Sequence, residues 1–341
     1  MVVPASAGLK NHYNIPLFAL ADEDRGALRL IHGLSTAEKV RGFRGALLAT
    51  LKADAASWAD DDTVILSSEH LIHLQDSAEF DRLKEVLAAM GPRPVRIVIY
   101  LRRQDAYYVS AYAQHVRGGS TAAWMSPESF DHLVLDYQVL LDRWESAFGR
   151  ERICVRVFER GQLTGNDAVA DFMSFVGCPL AGAVNVERNV SLGARETEFL
   201  RRLNPLFPRF IDDRFNEQRR SLVQALTSIS NGPPLRLDSK CALEILARYR
   251  DSNAAIAAKY LGRTDGQLFH EVPGDAPEQP PALSVDEAVD LSARLWAFAH
   301  EKAPKPTGES RKVRKAERMA RMTLEQRRAL RQARQARGVA P

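Results

Sequence analysis

Cysteine is scarce in this chain of 341 residues: only Cys154, Cys178 and Cys241 occur, and no two form a C-x-x-C pair. An odd, unpatterned set argues against a disulfide scaffold and against a thiolate zinc site, so no metal is expected. A reducing cytoplasm is the simplest setting for such thiols, and a cytoplasmic location is the expectation. No apolar run approaches the roughly 18 residues that a membrane span needs. The apolar stretch within residues 1–9 is too short for a secretory signal. No internal repeat is present. No G-x-x-x-x-G-K-[ST] run and no Asp-ending strand of the Walker B kind is found, which counts against a P-loop kinase.

Charge is present but unevenly placed. The net charge is +4. Residues 301–341 hold 13 Lys/Arg and 4 Asp/Glu, leaving 34 basic and 39 acidic residues in 1–300. The basic character therefore belongs to a tail, and the acidic body is not expected to bind nucleic acid specifically. The tail, Arg- and Ala-rich over 311–337, reads as a solvated, partly disordered helix. It could also touch an anionic membrane or polysaccharide, or nucleic acid non-specifically. Two regions are expected, a domain over 1–300 and this tail over 301–341.

Apolar spacing predicts helices at 40–51, 80–90, 106–117, 130–148 and 167–176, with Asp105 as a cap and Gly118-Gly119 as a stop. Between them, residues 63–67 (TVILS), 95–101 (VRIVIYL) and 153–158 (ICVRVF) are short, β-branched runs that suit buried parallel strands. Alternating strands and helices predict a parallel α/β sheet. Beyond residue 192 the pattern is mostly helical, at 196–203, 218–228, 241–261 and 285–300. Tyr108 with Tyr112, and Trp144 with Phe148, stand four apart and read as packing pairs.

Ligands of parallel sheets bind beyond the carboxyl ends of the strands. The three strand ends deliver Ser67-Ser68-Glu69-His70, Arg102-Arg103-Gln104-Asp105 and Phe158-Glu159-Arg160. A carboxylate, a guanidinium pair and an aromatic on one rim suit an anionic nucleotide, with Arg on phosphate and the aromatic on a base. Ser110 would lie on the first turns of the helix after Arg102, adding a hydroxyl and a helix N-terminus to that anion site. Arg103 and His73 read as peripheral.

The run VRIVIYLRRQDAYYVSAY resembles the 3′-phosphate-binding strand–turn–helix of sulfotransferases that use 3′-phosphoadenosine 5′-phosphosulfate. In that family an Arg at the strand end and a Ser eight residues later hold the 3′-phosphate; Arg102 and Ser110 stand at that spacing. FGRERICVRVFERGQL resembles the strand whose terminal aromatic, here Phe158, packs near adenine. VILSSE resembles the strand ending in the catalytic base, at Glu69 with His70 as the neighbouring candidate. RNVSLGARETEFLRRLN and YRDSNAAIAAKYL resemble the carboxyl half of bacterial members. The resemblance extends over about residues 11–300. It implies a P-loop-like three-layer α/β fold with a parallel sheet and a helical carboxyl half. It implies 3′-phosphoadenosine 5′-phosphosulfate as co-substrate, a carbohydrate hydroxyl as acceptor, no metal, Arg188 reaching the nucleotide from a loop, and His12 on the substrate side.

The family opens with a strand and a Gly/Thr-rich loop whose amides and Lys hold the 5′-phosphosulfate. No such loop, and neither the central strand nor the first helix, is found in these residues. The chain starts about where that family has finished its second element. Two expectations follow: Met1 is an internal methionine of a longer enzyme, or the chain is a remnant that binds the nucleotide and transfers nothing.

Overall fold

The computed structural model describes residues 1–8, 11–24, 26–131, 133–178, 192–274 and 283–302, with 301 and 302 in backbone only. The chain divides into Met1–Val289 and Asp290–Pro341.

The amino-terminal part is helical: α1 (Asn14–Ala19), α2 (Ala27–Ile31), α3 (Ala37–Ala55) and α4 (Ser77–Ala89). Both long helices start on side-chain caps. Thr36 accepts from the Lys39 amide and Asp76 from the Glu79 amide, each meeting an otherwise orphaned N–H. The loop after α1 is held by three guanidiniums. Arg44 donates to Phe18 O and Leu20 O at 2.8 Å each, Arg29 to Leu20 O at 2.8 Å, and Arg82 to Ala19 O at 2.7 Å. Buried Glu79 accepts from the amides of Ala21 and Gln75. Exposed carbonyls and amides of a tight loop are thus answered by side chains instead of water.

The sheet is smaller than expected. β1 (Ile97–Leu101) and β2 (Ile153–Val157) pair in parallel, Ile97 beside Ile153 through Leu101 beside Val157. The run at 63–67 forms no sheet strand among the described residues. It makes one parallel bridge, Val64 with Val2, through Val2 N to Thr63 O at 2.8 Å and Ile65 N to Val2 O at 2.9 Å. A β-branched run needs a neighbouring edge to become a strand, and among the described residues the only backbone bridge of this run is to Val2.

Between β1 and β2 lie α5 (Gln104–Gly118) and α6 (Tyr137–Phe148). α5 ends at Gly119, whose φ of 112° suits glycine. Its N-cap position is Arg103, not Asp105; Asp105 sits inside the first turn. α6 starts seven residues later than the periodicity predicts, because Asp136 caps it by accepting from the Gln138 and Val139 amides. Before it, Pro127–Phe130 is a separate 3-10 turn. After β2 comes α7 (Ala168–Phe175), capped by Asp167.

The carboxyl half holds α8 (Ala194–Leu203), the hairpin β3 (Phe210–Ile211) and β4 (Arg214–Phe215), α9 (Glu217–Ile229), α10 (Ser239–Arg248), α11 (Arg250–Leu261) and α12 (Val285–Lys302). The helix expected over 241–261 is two helices that meet at Tyr249.

The main core is built from Leu47 and Leu51 of α3, Phe80, Leu83 and Val86 of α4, Leu140, Leu141 and Trp144 of α6, alternate residues of β2, and Ile256 of α11. Phe80 meets Trp144 edge-on at 5.1 Å, and Trp144 stacks on Phe148 at 5.7 Å. Tyr108 and Tyr112 pack with Trp124 and Phe130. Both pairs spaced four apart are packing pairs, as their positions on one helix face require. No described helix is long and apolar enough to cross a membrane.

Candidate functional site

The register of β1 and β2 sets the site. Because Leu101 stands beside Val157, Arg102 and Phe158 leave the sheet at the same level, joined by Phe158 N to Leu101 O at 2.8 Å. The Arg102 guanidinium lies 5.9 Å from the Phe158 ring centroid, within the range of a cation–π contact. Phe158 is 43% exposed, so its ring is accessible beside the guanidinium. Arg102 is half-buried, and its guanidinium has no hydrogen bond and no ion pair among the described residues. Burial pushes its pKa below the ordinary guanidinium value, and the nearby Asp105 works against that fall.

Asp105 does not neutralise Arg102, because it is committed elsewhere. Its two oxygens take Arg103 Nε at 2.7 Å and Nη2 at 3.0 Å. Of the Arg102–Arg103 pair, then, only Arg102 is without an ion pair among the described residues. Arg102 is held through its backbone: Tyr137 Oη donates to Arg102 O at 2.6 Å. Burial raises the Tyr137 pKa, which keeps this donor protonated. Behind them, buried Gln104 and Asn253 exchange two amide hydrogen bonds, at 2.8 and 3.1 Å. That pair ties the start of α5 to α11 across 149 positions. Neither Tyr137 nor the carboxamide pair carries a signal in the sequence, since their partners are remote.

Ser110 is exposed on α5, the seventh residue of the helix. That places it about 9 Å along the axis from Gln104. No hydrogen bond joins it to Arg102 among the described residues, so the expected pairing is not made within the protein itself. Arg188 lies outside the described residues.

The candidate base lies across α5. Glu69 opens a 3-10 turn over Glu69–His73, and its side chain is 57% exposed. Its Oε1 is 3.8 Å from His70 Nε2 and accepts a long bond from Gln114 Nε2 of α5 at 3.4 Å. Its amide donates to Asn11 Oδ1 at 3.3 Å. Its charge reaches Tyr107, whose pKa is raised first by burial. Glu69 and His70 thus lie beside α5, close to Gln114 and within electrostatic reach of Tyr107.

His12 is not on the open face. It is 7% exposed, with a φ of 21°, and its Nδ1 accepts from the Ser67 amide at 2.7 Å. Burial lowers its pKa. A neutral ring protonated on Nε2 is what this bond requires. His12 therefore joins the amino-terminal segment to the run that carries Glu69. Glu159 is also inward: it accepts from Gln162 Nε2 at 2.6 Å and the His270 amide at 2.9 Å.

No group of three or more potential metal ligands occurs among the described residues. A surface cavity of about 380 Å³ lies between Lys84, Arg93 and Phe148. It is at the amino ends of the strands, the wrong end for a ligand site of a parallel sheet.

The chain is similar to an uncharacterized protein of Archaeoglobus fulgidus, 28% identical over 214 residues, 61% of this chain and 56% of that protein. It thus spans little more than half the length of that relative. No protein-family model matches the chain. No solved structure matches it.

Proposed function

We propose that the chain binds a 3′-phosphoadenosine nucleotide at the carboxyl ends of β1 and β2 and that its ancestry and activity are those of a sulfotransferase. The fold that goes with this reading is a P-loop-like three-layer α/β fold. One observation carries the binding: a half-buried, unpaired guanidinium, Arg102, beside an exposed aromatic, Phe158, at the ends of two paired strands. The first amides of α5 open next to Arg102, so a phosphate there meets both a guanidinium and a helix N-terminus. The Phe158 face is free to stack on a purine.

In this reading the co-substrate, 3′-phosphoadenosine 5′-phosphosulfate, supplies an activated sulfuryl group. The protein's part is positioning and proton transfer. Arg102 and the α5 amides hold the 3′-phosphate, while Tyr137 and the Gln104–Asn253 pair fix the strand end that carries Arg102. Glu69 accepts the proton of a carbohydrate hydroxyl. The acceptor oxygen bonds to sulfur, the sulfur–oxygen bond to the 5′-phosphate breaks, and its electron pair leaves with 3′-phosphoadenosine 5′-phosphate. Gln114 and His70 steady the Glu69 carboxylate.

A second reading, nucleotide binding without transfer, is favoured by one observation: no Gly/Thr-rich loop with a Lys for the 5′-phosphosulfate occurs in the 341 residues. One experiment separates them. Labelled 3′-phosphoadenosine 5′-phosphosulfate is incubated with carbohydrate acceptors and either wild type or Glu69→Gln. Transfer by wild type that falls about 100-fold or more in Glu69→Gln, with nucleotide affinity kept, supports the enzyme. Binding with no transfer by wild type supports the second reading.

A further inference from the structure

Two cations at the far end of α5, Arg209 and Arg219, make no ion pair among the described residues. Arg219 of α9 is 1% exposed and gives its donors only to neutral acceptors. They are Asn204 Oδ1, Phe207 O at 3.1 Å, Val116 O at 3.1 Å and Arg117 O at 2.8 Å. It closes the carboxyl end of α5, where carbonyls and the helix dipole favour a cation.

Arg209, half-buried, sits beside it with its guanidinium 5.7 Å from the Phe210 ring. Burial lowers its pKa, and its charge adds to the burial that lowers the pKa of Arg219. Arg209 donates no hydrogen bond and makes no ion pair among the described residues. Arg219 takes two carbonyls of the α5 end, Val116 O and Arg117 O. A desolvated guanidinium next to another cation is unfavourable until an anion joins it.

α5 connects this group to the candidate base. Gln114 faces Glu69. Gly118, four residues on, shares that face of the helix, and Arg209 Nη1 comes within 3.3 Å of where a Cβ of Gly118 would stand. A side chain there would crowd the guanidinium; glycine leaves it open. Four residues advance about 6 Å along a helix, a step comparable to one sugar residue. Glu69 and Arg209 therefore border the same stretch of α5 from its two ends.

We propose that Arg209 is an anion-binding group of the acceptor subsite, and that the acceptor is an acidic saccharide. Its carboxylate or sulfate lies one residue from the hydroxyl that Glu69 deprotonates. This rests on the sulfuryl-transfer reading, and the two can fail separately. The guanidinium fork suits a planar carboxylate or a sulfate edge, which a lysine meets only as a point charge.

The test is calorimetry on the full chain with a glucuronate-containing tetrasaccharide and with its carboxyl-reduced, neutral counterpart. Wild type is expected to prefer the acidic form about tenfold or more. Arg209→Ala is expected to lose that preference and Arg209→Lys to keep part of it, with both variants binding 3′-phosphoadenosine 5′-phosphate as wild type does. An Arg209→Ala protein that keeps the full preference overturns the proposal, since the charge recognition then lies elsewhere, in the basic residues 301–341 for example. So does a wild type that binds neither saccharide. If wild type fails to bind the nucleotide, the transfer reading falls, while an acidic preference that depends on Arg209 still upholds the anion site.

Discussion

Replacing Asp171 with Asn isolates the bond network that ties the two strands to α7. Asp171 is fully buried. Its carboxylate forms a bidentate pair with Arg156 of β2, accepts from Tyr100 Oη of β1 at 2.7 Å and accepts from the Thr164 amide at 2.9 Å. The asparagine keeps the shape and loses the charge. Breaking a wholly buried ion pair from one side costs about 3–5 kcal/mol. The Arg156 side chain is 27% exposed and regains some water, so about 2–4 kcal/mol is expected. For a chain of this size that corresponds to a fall in Tm of roughly 4–16 °C.

The acid limb gives an independent check. Burial pushes the Asp171 pKa up, but the bonds from Arg156, Thr164 and Tyr100 outweigh it and hold the carboxyl well below the usual range. The folded state therefore binds this proton less readily than the unfolded chain. The stability it adds is complete above about pH 4 and is lost as pH falls towards the folded pKa. Urea unfolding of both proteins at pH 7 and down to pH 3 is the assay. The advantage of wild type over Asp171→Asn should begin to shrink as the pH drops below 4. A difference under about 0.5 kcal/mol at pH 7, or one that does not shrink in acid, refutes this role for Asp171.

Two further outcomes concern the supports of the site. Gln104→Leu or Asn253→Leu alone strands a buried carboxamide, at about 1–3 kcal/mol each, whereas the double variant should cost at least ~1 kcal/mol less than the sum. A double-mutant cycle by urea unfolding checks this; strict additivity contradicts the pairing. His12 has its pKa lowered by burial, so the unfolded chain binds more protons below about pH 6.5, and stability is full above that and declines as pH falls through it. His12→Asn keeps an acceptor for the Ser67 amide without titrating, and should flatten the stability profile between pH 5 and 6.5. An unchanged slope would assign the effect to His32, which burial also lowers.

Much of this fold is legible in local chemistry. β1 is a run of β-branched residues between a proline segment and a polar strand end, and it is a strand because β2 offers it an edge. Residues 63–67 have nearly the same composition and fail for want of that edge, which no local pattern reveals. Gly119 ends α5 as its position implies, since only its backbone tolerates the required φ. The α6 start and the break at Tyr249 are hidden because apolar spacing continues across both, while capping and packing decide where the helix stops. Arg102 and Phe158 are legible from their strand-end positions. The bond of His12 to the Ser67 amide is hidden in the sequence, because the two stand 55 residues apart. Arg209 carries no signal of its own, because its meaning lies in what surrounds it, a second arginine and two glycines, with no ion pair among the described residues.

The pairing of Arg102 with a nucleotide phosphate is the central claim, and calorimetry with 3′-phosphoadenosine 5′-phosphate tests it most directly. Wild type should bind, and Arg102→Ala should lose about 1.5–3 kcal/mol, or roughly 10- to 150-fold in Kd, the usual worth of a charge-assisted hydrogen bond. The Arg102 side chain makes no hydrogen bond or ion pair among the described residues, and the Tyr137 bond to its backbone carbonyl survives the substitution, so Tm should hold. A wild type that does not bind, or an Arg102→Ala protein that binds equally well, contradicts the assignment.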